Sequence, residues 1–144
     1  MNTCIFCDIL AGLKPGNFVY RNDLCAAFMD IHPVNPGHVL VVPLKHAALL
    51  GELDEVVTGH MLQVAQHVDF ALRSSGIQCE GVNLYLADGR TAGQEVMHVH
   101  LHVIPRFAAD GHRMRFSPAY FTLPSADELR KTAELIRRQM GSES

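Results

Sequence analysis

The chain has 144 residues, 48% of them hydrophobic, with a formal net charge of −3. That length and composition suit one folded domain, read over residues 1–144, with a sizeable core and no disorder by default. No basic face is evident, which argues against nucleic acid as a partner. No apolar run nears the roughly 20 residues needed to span a bilayer, and the N-terminus lacks a signal peptide's basic and long apolar regions. A cytoplasmic protein with no membrane partner is therefore expected.

In chain order, "NFVYRNDLCAAFMD" (17–30) predicts a β-hairpin turning at Arg21-Asn22-Asp23. "GHVLVVP" (37–43) predicts a strand stopped by Pro43. Over 54–75, Val57, Met61, Val64, Val68 and Leu72 recur at helical spacing, and Gly76 suits the C-terminal cap. "GVNLYLA" (81–87) alternates as a strand, and "DGRTAGQ" (88–94) is a glycine-containing loop. "HVHLHVI" (98–104) predicts another strand, followed by a long loop from 107. "SADELRKTAELIRRQM" (125–140) predicts a last helix, with Ser125 and Glu128 as a capping box. Arg137 and Arg138 suit its negative end. The order predicts an α+β fold: a mostly antiparallel sheet, one main helix against it and a C-terminal helix.

His98, His100 and His102 alternate. On a strand they share one face, while Val99, Leu101 and Val103 turn to the core. With a rise of about 3.3 Å per residue, the outer two stand roughly 13 Å apart, too far to share one metal ion. The row reads better as separate tasks. Imidazole suits phosphoryl chemistry near neutral pH, as nucleophile when neutral and as donor when charged. Gly93 lets backbone approach an anion, and Gln94 offers an amide. A solvated polar face on an edge strand is the alternative for the three histidines alone.

"HVHLHVI" matches the pattern of the histidine triad (HIT) family: three alternate histidines, then two apolar residues. "FMDIHPVNPGHVLVVPLKH" (28–46), "CIFCDILAG" (4–12) and "AGQEVMHVHLHVIPR" (92–106) resemble further blocks of the same family at family spacing. The resemblance covers roughly residues 4–106. It implies an α+β homodimer with sheets continuing across the interface. It also implies an enzyme that cleaves nucleoside phosphoramidates or dinucleoside polyphosphates at the α-phosphate, with no metal required for the chemistry. A purine nucleotide is the expected substrate.

Carried over residue by residue, the resemblance makes His100 the nucleophile that becomes a nucleotidyl-histidine. His102 becomes the α-phosphate ligand and His38 the histidine supporting both. Asp30 is expected to accept from the ribose hydroxyls, and Gln94 to contact phosphate. Phe6, Ile9, Phe28 and Ile31 fall where the family lines its base pocket, although such residues are core more often than ligand contacts. The resemblance also implies a structural zinc on Cys4, Cys7, His46 and His98, a closed Cys₂His₂ set. A redox pair is the alternative for Cys4 and Cys7. Cys25 and Cys79 read as small core residues. Two positions depart from the family: Ala87 stands where many relatives have an asparagine, and Glu95 where some have serine or threonine. Glu95 is expected to face outward, away from phosphate, with a proton carrier as the alternative. His60 and His67 share a helical face that reads as surface. Two readings compete with the hydrolase: a non-catalytic nucleotide sensor, and a hydrolase that uses its imidazoles on zinc.

Overall fold

The computed structural model describes residues 3–141. The described residues fall into two compact units, 3–112 and 113–141.

The first unit opens with a short helix, α1 (Ile5–Leu10). Its Cys4 N-cap accepts from the Cys7 backbone N–H through sulfur. The predicted hairpin forms as β1 (Phe18–Arg21) and β2 (Cys25–Met29). Asn22 makes its turn, its side-chain oxygen accepting from the N–H groups of Leu24 and Cys25. β3 (Val39–Pro43) follows, then α2 (Glu55–Ser74), capped by Asp54 and released through Gly76 at φ +85°. β4 (Gly81–Tyr85) and β5 (Leu101–Arg106) complete an antiparallel sheet of order β1-β2-β3-β5-β4.

α2 buries Met61, Val64, Ala65, Val68 and Leu72 against one face of the sheet, together with Cys25, Ala27, Val39, Val41, Val99 and Val103. The opposite face carries Ala26, Phe28, Leu40 and Val42, covered by Phe6 and Leu10 of α1. β2 and β3 are buried along nearly their whole length because both faces are covered, and so they read as unbroken apolar runs. Cys25 is wholly buried, and Cys79 packs at the core margin.

The histidine strand starts later than predicted. β5 pairs from Leu101, so His98 and His100 precede the ladder. Opposite them lies Pro43, which has no N–H to offer. Val99 N–H donates instead to Ala47 O at 2.8 Å. The loop at 88–94 contains one 3₁₀ turn, Arg90–Ala92.

The second unit holds a 3₁₀ turn (Pro118–Phe121), with Phe116 stacked on Tyr120, and α3 (Ala126–Met140). The Ser125–Glu128 capping box forms as predicted. Among the described residues, no helix is long and apolar enough to cross a membrane.

Candidate functional site

The three alternate histidines face the α1 side of the sheet. His98 and His100 pack edge-on against Phe6, with ring centroids 5.9 and 5.1 Å away. His102 follows at 5.0 Å from His100. Val99 and Val103 fill the α2-side core, with Leu101 packed against it.

Hydrogen-bond partners assign the proton on each neutral ring. His98 Nε2–H donates to Pro43 O at 2.9 Å, which leaves its Nδ1 lone pair free. His100 Nδ1–H donates to the carbonyl of His98 at 2.7 Å, which leaves the lone pair on Nε2. Val34 N–H donates to His38 Nδ1 at 3.0 Å, so His38 carries its proton on Nε2. That Nε2–H donates to His102 Nδ1 at 2.8 Å. His102 is thereby left with an N–H at Nε2. The row therefore offers one imidazole with a bare nitrogen and, beside it, one with a donor.

Burial holds His102 down to about 4, helped by its imidazole neighbours and opposed by Asp30. Burial likewise holds His38 below its ordinary range, again against Asp30. For both rings the shift favours the neutral form, in which the His102 donor is its Nε2–H.

Gly37 positions His38. Its φ of +99° is a left-handed conformation, and an added Cβ would meet Leu72 at 3.0 Å and Ile77 at 3.1 Å. Asp30 ends the strand β2 connection beside this pair. One carboxylate oxygen accepts from His32 N–H at 2.8 Å, and the other lies 3.5 Å from His38 Nε2 and 3.9 Å from His102 Nδ1.

Gln94 is only 3% exposed. Its oxygen accepts from Gly89 N–H, and its amide donates to the carbonyls of Ala48 and Val96, at 2.8–3.0 Å. In this geometry the amide braces the 88–96 loop. Tyr85, which the sequence gives no reason to single out beyond its alternation on β4, pairs with His102 across the sheet. Its ring lies 5.6 Å from that imidazole, and its hydroxyl donates to Ala92 O. Glu95 is exposed and Ala87 buried.

Of the expected base contacts, Phe6, Ile9 and Phe28 gather in one apolar cluster, with Phe6 and Phe28 rings 5.4 Å apart. Ile31 lies outside it and is 83% exposed. His67 is exposed, whereas His60 is half-buried and bonds the Asn22 side chain at the hairpin turn. A cavity of about 370 Å³ lies between the hairpin and α2, lined by apolar residues such as Val64, Val68 and Leu72. Those residues belong to the core on the sheet face opposite the imidazoles, so the cavity lies apart from the histidine row.

Among the described residues, two clusters have the composition of metal sites. In the first, Cys4, Cys7, His46 and His98 hold their ligand atoms within 4.8 Å of one another. Tetrahedral zinc with such ligands has ligand–ligand edges of about 3.3–3.8 Å. The observed separations are 3.5 Å for Cys4–His98, 3.4 Å for Cys7–His46, 3.6 Å for Cys7–His98 and 3.2 Å for His46–His98. The bare Nδ1 of buried His98 points into this set, so the residues fit zinc. Burial and the neighbouring Cys4 push the Cys7 thiol up to about 11, so metal capture would displace its proton.

The second cluster is Asp30, His38 and His102. It does not fit a metal. His38 already accepts at Nδ1, so its Nε2 carries a proton and has no lone pair to give.

A HIT domain family model matches residues 12–109. The chain belongs to the HIT family. An uncharacterized HIT-like protein of Borreliella burgdorferi is 44% identical over 113 residues, which are 77% of this chain and 81% of that one. The adenylylsulfatase HINT3 of Arabidopsis thaliana is 33% identical over 76% of this chain and 55% of its own. Among solved structures, a zinc-bound histidine triad protein from Mycobacterium smegmatis aligns with a TM-score of 0.74 and 35% identity. It covers 81% of this chain and 84% of its own. The α+β fold of the HIT family is thus that of this chain.

Proposed function

We propose that this HIT protein is a nucleotidyl hydrolase or transferase acting through His100. The observation that carries this is the pairing of two neighbouring imidazoles in opposite protonation patterns. His100 offers the lone pair of Nε2, and His102 offers the hydrogen of Nε2. A pure binding site has no need of the first.

In this reading His100 Nε2 attacks the α-phosphorus of a nucleoside phosphoramidate or dinucleoside polyphosphate. The bond from phosphorus to the leaving amine or phosphate breaks, its electron pair leaving with that group. Water then attacks the nucleotidyl-histidine, and the electron pair of the phosphorus–nitrogen bond returns to Nε2. His102 stabilises charge on the non-bridging oxygens through both steps. His38 holds His102 in the donor form. Asp30 has one oxygen free of backbone to meet a ribose hydroxyl, and exposed Ile31 beside it is available to be covered by a purine. Gln94 serves the phosphate by holding its loop in shape. The activity named for the Arabidopsis relative supports an adenylyl compound as the substrate class.

Zinc on Cys4, Cys7, His46 and His98 would cross-link the N-terminus to the histidine row. Its part is structural, because four protein ligands in a Cys₂His₂ set close the tetrahedron and leave no open position for a substrate or water. A homodimer is supported by β4, an edge of the sheet, where Leu84 and Tyr85 are exposed, with Leu62 exposed on α2. Sedimentation of a single species near twice 15.9 kDa is expected.

The test against a sensor is direct. Wild type should hydrolyse an adenosine phosphoramidate, and His100→Ala should bind the nucleotide with little loss and cleave none. Tight binding with no turnover by the wild type would favour the sensor.

A further inference from the structure

Beyond β5 the chain doubles back over residues 107–112 and closes on the segment leading into β3. Arg106 holds Asp110 at two points, Nε–Oδ2 at 2.6 Å and Nη2–Oδ1 at 2.9 Å. Asp110 Oδ2 also accepts from Asn35 Nδ2 at 2.9 Å. The same buried amide donates to Pro105 O at 2.9 Å. The Asn35 carbonyl accepts from His38 N–H at 3.1 Å. Its neighbour Val34 donates N–H to His38 Nδ1, and the Val34 carbonyl accepts from His112 Nε2 at 2.8 Å. A continuous chain of contacts runs from Arg106 to the proton on His38.

We propose that Asn35, anchored by Asp110, is a positioning residue: it holds the Val34 N–H on His38 Nδ1 and so keeps the His38 proton directed at His102. This rests on the reading of His102 as the phosphate donor. If the Val34 N–H is released, neutral His38 is free to carry its proton on Nδ1. His38 Nε2 then becomes an acceptor, and the His102 proton moves to Nδ1 to meet it. His102 Nε2 would turn a lone pair toward a phosphate oxygen. One lost anchor reverses two tautomers and converts a donor into a repulsive group.

The experiment uses full-length, zinc-loaded protein with ¹⁵N-labelled histidine, as wild type, Asn35→Ala and Asp110→Asn. Nitrogen shifts should place the wild-type proton on Nε2 of both His38 and His102. Asn35→Ala should show Nδ1–H forms of both rings, and kcat for an adenosine phosphoramidate should fall about 10- to 100-fold with KM within about twofold. Asp110→Asn keeps an acceptor for Asn35 and should give a smaller change of the same kind. It decides the matter if Asn35→Ala does not fold. Folded variants with wild-type tautomers would overturn the proposal. The tautomer readout needs no turnover, so it separates this proposal from the assignment of the reaction itself.

Discussion

The carbonyl oxygen of His98 stands 2.7 Å from Nδ1 of His100. This one contact joins two sites. The His98 ring belongs to the Cys₂His₂ cluster, and its backbone fixes which nitrogen of His100 is bare. Ordering His98 through a metal would therefore steady the ring proposed as the nucleophile.

Zinc removal tests that division of labour. Metal present at about a hundred times its Kd contributes roughly 3 kcal/mol to folding. For a chain of this length that is about 10 °C of Tm. Stripping zinc with a chelator should lower Tm by about that amount in a thermal melt, while the still-folded protein keeps most of its hydrolysis rate at 20 °C. Complete loss of chemistry in folded, metal-free protein would favour catalysis on zinc.

Acid stability follows from the buried histidines. An unfolded histidine takes its proton near pH 6.5, whereas His102 in the folded protein is held down to about 4. Between those values the unfolded chain binds more protons, so acidification favours unfolding. The contribution is fully present above pH 6.5 and is lost as pH falls through about 4. His38, lowered by burial as well, acts in the same direction. Denaturant midpoints across pH 7 to 4 should fall less steeply in His102→Gln than in wild type. Parallel slopes would show that His102 titrates normally in the folded protein.

Gln94→Ala removes the partner of Gly89 N–H and two donors to the carbonyls of Ala48 and Val96. Leaving such buried groups unpaired costs about 1–3 kcal/mol. Urea denaturation should show that loss. Gln94→Glu would face a carboxylate toward two carbonyl oxygens and should be at least as destabilising. A Gln94→Ala protein of unchanged stability would mean that the side chain is free to leave its loop for the phosphate.

What was legible in the sequence was local. The stripe from Val57 to Leu72 and the Asn22 turn state their own structure, because period and turn chemistry act within a few residues. The six-residue α1 is too short to show a period, so the second core it builds with Phe28 and Leu40 is not announced. The late start of β5 depends on Pro43, some 55 residues from His98. The roles proposed for His100 and His102 follow the family pattern, yet the tautomers of the row rest on partners such as Val34 and Pro43, which carry no motif. The clip from Asp110 to Asn35 spans 75 residues and has no sequence signature at all.

The central claim concerns the Nε2 lone pair of His100. Wild-type protein mixed with an adenosine phosphoramidate should be quenched in alkali within the first turnover and digested for mass spectrometry. The peptide containing residues 98–106 is expected to carry one adenylyl group on His100, absent from His100→Ala. A wild type that turns over its substrate with no adduct at any time point, or with the adduct on another side chain, would contradict the account.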